Sequence, residues 1–363
     1  MKATLDKDKT NLIVEARRYL HTVPELCGKE MRTKAFIISF LKEHTSLEVR
    51  DMGKWLYAAH RENAADTVAF RADFDAIPTE NGPAHRCGHD GHTAALLAFA
   101  LMIEGKRLGK NVILLFQYGE ETGEGGAKCC RLFDLEKIDI MYGCHNIPGE
   151  PMGTVLLRLG TFACASCGME VSFTGKPTHA AYPENGVNPT PAVAELALEL
   201  PRTAAQIEKC SGAMTIATIV GMYSGERAFG VAASKGAVYA TLRSERSDCL
   251  DMLIASAEQK ANELAKELCV ERRIEFLDKF PATVNPEEGI EYIAERCIEQ
   301  GIEYKFLEAP FRWSEDFGHY GAHTKACFFG IGSGLDTAPL HTEGYEYPDE
   351  LAVKTAEVFY SLL

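Results

Sequence analysis

Between about residues 160 and 278 the sequence reads strand, helix, strand, strand, helix, strand, and this interruption constrains the fold more than any other feature. Residues 162–174, 214–223, 231–243 and 270–277 have strand character, while 189–207 is an Ala/Leu/Glu-rich helix and 251–268 a long amphipathic one. That order is the split β-α-β pattern of a ferredoxin-like α+β domain. On either side the texture is different. Short apolar runs at 55–59, 67–70, 112–116 and 138–142 predict strands, with a helical stretch at 93–103 between the second and third. Near the start, Leu12, Ala16, Tyr19 and Leu20 share one helical face, Pro24 breaks it, and Met31, Ala35 and Ile38 open a second helix that runs to about His44. The chain closes on a helix at 349–362. Strands alternating with helices predict an α/β sheet of parallel strands, with chemistry on the loops after the strand C-termini. The expected organisation is one α/β domain, 1–159 plus 279–363, with a second domain, 160–278, inserted between its halves.

Composition narrows the function classes. At 46% hydrophobic and 25% charged residues over 363 positions, the chain has material for two ordinary globular domains and is not a disordered one. A formal charge of -14 repels phosphates and anionic lipid, so neither nucleic acid nor a membrane is an expected partner. The apolar run 94–103 falls short of the ~20 residues of a membrane span. The N-terminus, M-K-A-T-L-D-K-D-K-T-N, has no apolar core of a secretory signal. Twelve cysteines, scattered except for Cys129-Cys130, then read as reduced thiols in a cytoplasmic protein.

The chemistry concentrates in two short stretches. H-R-C-G-H-D-G-H places His85, Cys87, His89 and His92 within eight residues before a helix. In a loop that Gly88 lets bend, Cys87 and His89 can converge on one ion. The bland alternative is a polar helix start with Asp90 as N-cap. F-Q-Y-G-E-E-T-G-E-G-G follows a predicted strand and carries adjacent carboxylates, Glu120 and Glu121. Two neighbouring anions repel unless a cation or solvent offsets them. One carboxylate that binds metal beside one that takes a proton from water would use both. The glycines do not make a phosphate cradle, because three glutamates would repel phosphate and no Lys-Ser/Thr follows. His145 in G-C-H-N and His341 in P-L-H-T lie after predicted strands, and His179 in K-P-T-H-A-A lies in the inserted domain. Cys87, His89, Glu121, His145 and His341 thus fall on one sheet edge, more donors than one catalytic zinc normally takes. They suit two ions a few ångströms apart.

These segments resemble the co-catalytic metallo-amidohydrolases that include hippurate hydrolase, N-acetyl-diaminopimelate deacetylase and the auxin–amino-acid conjugate hydrolases, a branch of the aminoacylase/carboxypeptidase metallopeptidase family. The pieces are R-R-Y-L-H-T-V-P-E-L (17–26), F-R-A-D-F-D-A-I-P (70–78), C-G-H-D-G-H-T (87–93), Q-Y-G-E-E-T-G-E-G-G (117–126), G-C-H-N (143–146), H-A-A-Y-P (179–183), S-E-D-F (314–317) and P-L-H (339–341). The resemblance implies a zinc-peptidase-like catalytic domain with an inserted ferredoxin-like domain that forms a homodimer. It implies two divalent ions (Mn, Zn, Ni or Co) on Cys87, His89, Glu121, His145 and His341, and Glu120 as general base. It implies that His179 helps hold the scissile carbonyl oxygen, often in the partner subunit's site, and that Asp73 and Asp75 stand behind the metal ligands. Gly230 occupies the place of the family's substrate-contacting Asn, Tyr118-Gly119 replaces the commoner Pro-Ala, and 81–85 is shorter than usual.

The resulting expectation is a dinuclear metal-dependent amidohydrolase acting on an N-acyl amino acid or similar small amide. Arg243, in T-L-R-S, is a candidate for a substrate carboxylate because its fork is bidentate, with a surface salt bridge as the alternative. A dipeptidase or carboxypeptidase with the same metal chemistry is the enzymatic runner-up. A non-catalytic carrier or regulator retaining the fold is the reading of another class, and a cysteine-based redox protein a third.

Overall fold

A computed structural model describes residues 4–363. The chain separates into two compact units: one runs up to Phe162 and takes in Thr283–Pro310 and Glu315–Leu363, and the other comprises Ala163–Ala282 with Phe311–Ser314.

The first unit is built on an eight-stranded sheet in the order Glu48–Asp51, Leu56–His60, Asn111–Gln117, Thr67–Asp73, Ile140–Ile147, Lys325–Gly332, Val155–Leu157, Tyr304–Phe306. The central four strands are mutually parallel. The sheet as a whole is mixed rather than parallel, because Leu56–His60 runs against Asn111–Gln117 and Val155–Leu157 against Lys325–Gly332. The edge strand Glu48–Asp51 is antiparallel to its neighbour as well. Leu56–His60 turns back on Glu48–Asp51 through a short hairpin, and a parallel pairing there would have needed a crossover of a dozen residues or so.

The helix His89–Ile103 is buried along its whole length, which fits its near-absence of polar faces. It packs against Lys7–His21 and Asp349–Ser361. It starts four residues before the stretch predicted at 93–103, so His89 and His92 stand in its first turn and not in a loop. Its N-cap is Gly88, at φ +106°, and not Asp90. Asp90 is buried and takes a hydrogen bond at 2.8 Å from His21 Nδ1. The strand predicted at 138–142 runs on to Ile147, so His145 lies within it and not after it. Its ladder with Lys325–Gly332 continues to the pair Ile147 and Gly332, a distant partner that no local pattern announces.

In the second unit four antiparallel strands lie in the order Thr215–Ser224, Lys235–Ser244, Ala165–Thr174, Glu271–Phe280. Alternate residues of the strand Ala165–Thr174, among them Cys167, Met169, Val171 and Phe173, are buried. They share one core with Leu196 and Leu200 of helix Thr190–Ser211 and with Leu250 and Leu253 of helix Ser247–Glu267. The strand predicted at 231–243 is split. Val231–Ala232 pairs with Thr178–His179, and Lys235–Ser244 joins the main sheet. No helix among the described residues is long and apolar enough to cross a membrane, and all twelve cysteines are free thiols.

Candidate metal centre

The parallel strands of the first unit bring separate short segments together. Asp73 ends the strand Thr67–Asp73, and Asp75 follows in the next turn. Cys87 precedes the helix that carries His89 and His92. Glu120 and Glu121 occupy the turn between strand Asn111–Gln117 and the helix Glu124–Cys129. His341 sits in the loop after Lys325–Gly332, at φ +62°, where its amide donates to Arg86 O at 2.7 Å. Gly88 is needed for this assembly. A Cβ there would lie 2.4 Å from Asn146 Oδ1 and 2.6 Å from Tyr345 Oη.

The side chains converge. Cys87 Sγ lies 3.4 Å from His145 Nε2 and 3.3 Å from His341 Nε2. His341 Nε2 is 3.5 Å from Glu121 Oε1. His89 Nε2 is 3.8 Å from an oxygen of each of Glu120, Glu121 and Asp73. Donor atoms of Cys87, His89 and His145 lie within 4.8 Å of one another, as do those of Cys87, Glu121 and His341. His89 Nε2 and Glu121 Oε1 are buried with no hydrogen-bond partner, an arrangement that costs free energy unless something charged meets them. A divalent cation fits: thiol, imidazole and carboxylate are the donors that borderline metals select. The supporting bonds fit as well. Asp75 holds His89 Nδ1 at 3.0 Å and accepts from the Glu121 amide at 3.1 Å, which leaves Nε2 of His89 for the cluster. His145 Nδ1 donates to Asn146 O at 2.9 Å.

The electrostatics follow from burial and neighbours. Burial, with Glu315, Glu121 and Asp316 alongside, pushes the Glu120 carboxyl well above the carboxylate range. Burial, then Glu121 and Glu120, pushes the Cys87 thiol up. Burial, then His92 and His89, drives His145 toward its neutral form. His89 is raised to about 10, since Asp73 and Asp75 overcome the opposing effect of burial. A bound divalent ion would reverse much of this balance, favouring thiolate and neutral imidazole.

Several contacts around the cluster were not anticipated. Arg71, fully buried, donates to Glu315 at 2.9 Å and to Asp316 at 2.7 Å and also pairs with Asp73. Gln117 and Tyr320 join the same network. His92 has both ring nitrogens engaged, 2.6 Å from Asp73 Oδ1 and 2.6 Å from Asn146 Oδ1. The only sequence signals were Arg71 in F-R-A-D and the S-E-D-F segment, which are 244 residues apart. His85 is buried but joins none of the donor groups found among the described residues. The structure thus brings Cys87, His89, Glu121, His145, His341, Glu120, Asp73 and Asp75 together in the first unit. His179 and Arg243 belong to the second. His179 is exposed, with its Nδ1 accepting from Ala181 N at 3.1 Å. Arg243 donates to Arg312 O at 3.0 Å and Ser314 Oγ at 3.2 Å.

Comparison with known proteins gives the same direction. The family model for Peptidase family M20/M25/M40 matches residues 69–363. YhaA of Bacillus subtilis, named for an inferred amidohydrolase activity, is 30% identical over 95% of this chain and 91% of its own. The N-acetyl-L-cysteine deacetylase of Bacillus subtilis is 28% identical over 99% of this chain and 88% of its own. Among solved structures, the Bacillus subtilis YXEP protein, described as a dinuclear metal binding peptidase, superposes with a TM-score of 0.81 at 22% identity over 98% of both chains. With the family match covering most of its length and the donor cluster in place, this chain belongs to the peptidase family M20/M25/M40 and is a hydrolase of that family.

Proposed function

We propose that this hydrolase is a dinuclear metal-dependent amidohydrolase that cleaves the amide bond of N-acyl amino acids or similar small amides. The observation that carries the reading is the set of convergent donors, buried at Cys87, His89 and His145 and opening to solvent at His341, with two orphaned atoms, His89 Nε2 and Glu121 Oε1, next to Glu120. Cys87, His89, Glu121, His145 and His341 would hold two divalent ions of the Mn, Zn, Ni or Co kind, which when bound supply Lewis-acid polarisation of the amide carbonyl and make water acidic near neutral pH. Glu120 takes a proton from the attacking water and hands it to the leaving amine. Without an ion, burial and the neighbouring carboxylates raise this carboxyl, and the positive charge of bound ions would bring it down toward the ionised form that a base needs. Asp75 fixes the His89 ring, and Asp73 ties the His92 ring to Arg71. His179 is assigned a hydrogen bond to the developing oxyanion. The substrate class is supported by the similarity to a deacetylase of an N-acetyl amino acid. The region 160–278 is assigned the homodimer interface, supported by the exposed apolar Val220 and Met222 on its edge strand Thr215–Ser224.

The test is a chelator-stripped protein, reconstituted with Mn, Zn, Co or Ni and assayed on a panel of N-acetyl amino acids and free dipeptides. Metal-dependent release of the amino acid from the N-acetyl compounds is expected. Preference for free dipeptides would make the enzyme a dipeptidase, and undiminished hydrolysis after verified metal removal would refute the metal mechanism.

A further inference from the structure

The R-R-Y-L-H-T-V-P-E-L segment and the residues just after it supply none of the donors, yet they touch the helix start that carries His89, the segment after Asp75 and the turn that carries Glu120 and Glu121. His21 Nδ1 donates to Asp90 Oδ2 at 2.8 Å, and Asp90 follows His89 directly. Glu25 O accepts from Ala76 N at 2.9 Å, and Leu26 bridges to Ala76, the residue after Asp75. Glu30 Oε1 accepts from Gly119 N at 3.0 Å, immediately before Glu120. Cys27 Sγ lies 3.0 Å from Thr122 Oγ1, immediately after Glu121. The fit at Gly119 is close. Gly119 is at φ +59°, and a Cβ on it would lie 2.6 Å from Cys27 Sγ.

From these contacts we infer that residues 17–30 form a strap that positions the metal-binding loops, and that Glu30 is the positioning residue for the turn carrying Glu120 and Glu121. The inference rests on the roles assigned above to those two glutamates. Glu30 is 5% exposed, so its carboxyl has little solvent to turn to. Burial lifts that carboxyl to about 7, with Asp75 adding, against hydrogen bonds from the amides of Glu30, Gly119 and Gly28. A carboxyl of this kind accepts from Gly119 N–H through an oxygen whether or not it carries a proton, and a glutamine can do the same. The strap is also anchored within its C-terminal half. The Glu25 carboxylate accepts from Thr33 N and Thr33 Oγ1, both at 2.9 Å, at the start of helix Met31–His44. The strap is therefore tied to a helix on one side and to the loops on the other. A misplacement of about 1 Å in a catalytic group can cost about 100-fold in rate. That makes a single buried acceptor on the Glu120 turn worth testing.

The experiment compares Glu30→Ala, Glu30→Gln and a control, Ile293→Ala. Ile293 is fully buried on helix Glu287–Gln300, which carries no donor. Co²⁺ affinity is read by visible absorption, and kcat and KM on the fastest-cleaved N-acetyl amino acid of the panel. Glu30→Ala is expected to weaken Co²⁺ binding about 10-fold and lower kcat about 10- to 100-fold with little change in KM, the scale seen when supports of metal ligands are removed. Glu30→Gln should restore both to within about threefold, since the Gly119 amide keeps its acceptor. Ile293→Ala, even with an equal loss in Tm, should change neither. Near-normal Co²⁺ affinity and kcat in Glu30→Ala would overturn the inference. So would a Gln variant as impaired as the Ala variant, or equal impairment in Ile293→Ala. If Glu30→Ala does not fold, Cys27→Ala removes the other tie to the same turn, and unchanged Co²⁺ affinity there would count against the strap. A wild-type protein that binds Co²⁺ but cleaves nothing in the panel overturns the substrate reading, and the Co²⁺ comparison alone then decides the strap.

Discussion

Glu120 and Glu121 are neighbours in the chain with opposite electrostatic fates. Burial and the carboxylates of Glu315, Glu121 and Asp316 push the Glu120 carboxyl up. Glu121 is also buried, but His341 and His89 outweigh that burial and pull its carboxyl down. Glu121 is thus the more anionic of the two even without an ion, as a metal donor must be. Glu120→Gln should keep its metal content, checked by elemental analysis, while kcat falls by about 10²–10⁴, the scale of a lost general base. Glu121→Gln should lose metal occupancy and recover in part with excess metal. Rescue of Glu120→Gln by metal would reverse the two roles. A second residue-scale expectation concerns acid stability. Glu62 is held down to about 2 by His60 and by the amides of Leu108 and Gly109. Its folded value lies below the unfolded one, so its stabilisation is present above the ordinary carboxylate pKa of about 4.3. It is lost as pH falls through about 2. The Tm gap between wild type and Glu62→Gln should therefore be widest above pH ~5 and close as pH falls toward 2; a gap that widens on acidification would refute the assignment.

At the scale of elements, the decisive junction is the turn into helix His89–Ile103. Cys87 and His89 flank one residue, and only a left-handed Gly88 lets the chain turn there while Asn146 and Tyr345 crowd its α-carbon. Gly88→Ala should cost about 1–3 kcal/mol in backbone strain, before any displacement of Asn146 is counted. The measurable consequence is lower stability by denaturant melts together with weaker metal binding. A stable variant with normal metal affinity would show that the turn tolerates a side chain. The strand Ile140–Ile147 makes the complementary point. Its extension to His145 comes from pairing with Lys325–Gly332, so the position of that imidazole is set by a strand nearly two hundred residues away.

For the whole molecule, the two units carry separable tasks under the proposed function: the first holds the donor cluster and Glu120, and the second holds His179 and an exposed apolar edge. If residues 160–278 make the dimer, Val220→Lys with Met222→Lys should shift the protein to monomer in sedimentation while its secondary structure persists, because two charges oppose burial of that edge. If His179 acts across the dimer, mixing inactive His179→Ala with inactive Glu120→Gln should restore activity in confirmed heterodimers. Absence of activity there would confine His179 to its own chain or to no catalytic role.

Sequence alone was enough for the local features. The donor-rich H-R-C-G-H-D-G-H stretch, the paired glutamates, a first helix through Leu12–Leu20, the closing helix from Asp349 and, apart from the split of 231–243, the six-element order within 160–278 all follow from short-range pattern, since periodicity and turn residues act within a few positions. The mixed direction of the large sheet, the placement of His145 inside a strand and the Arg71–Glu315–Asp316 network did not follow. Each depends on partners far apart in the chain, and pairing between distant segments is chosen by burial and register across the folded core. The same holds for the strap: nothing in V-P-E-L-C-G-K-E marks Glu30 as a support for Glu120, because that relation exists only once the Gly119 amide is brought against it and water is excluded.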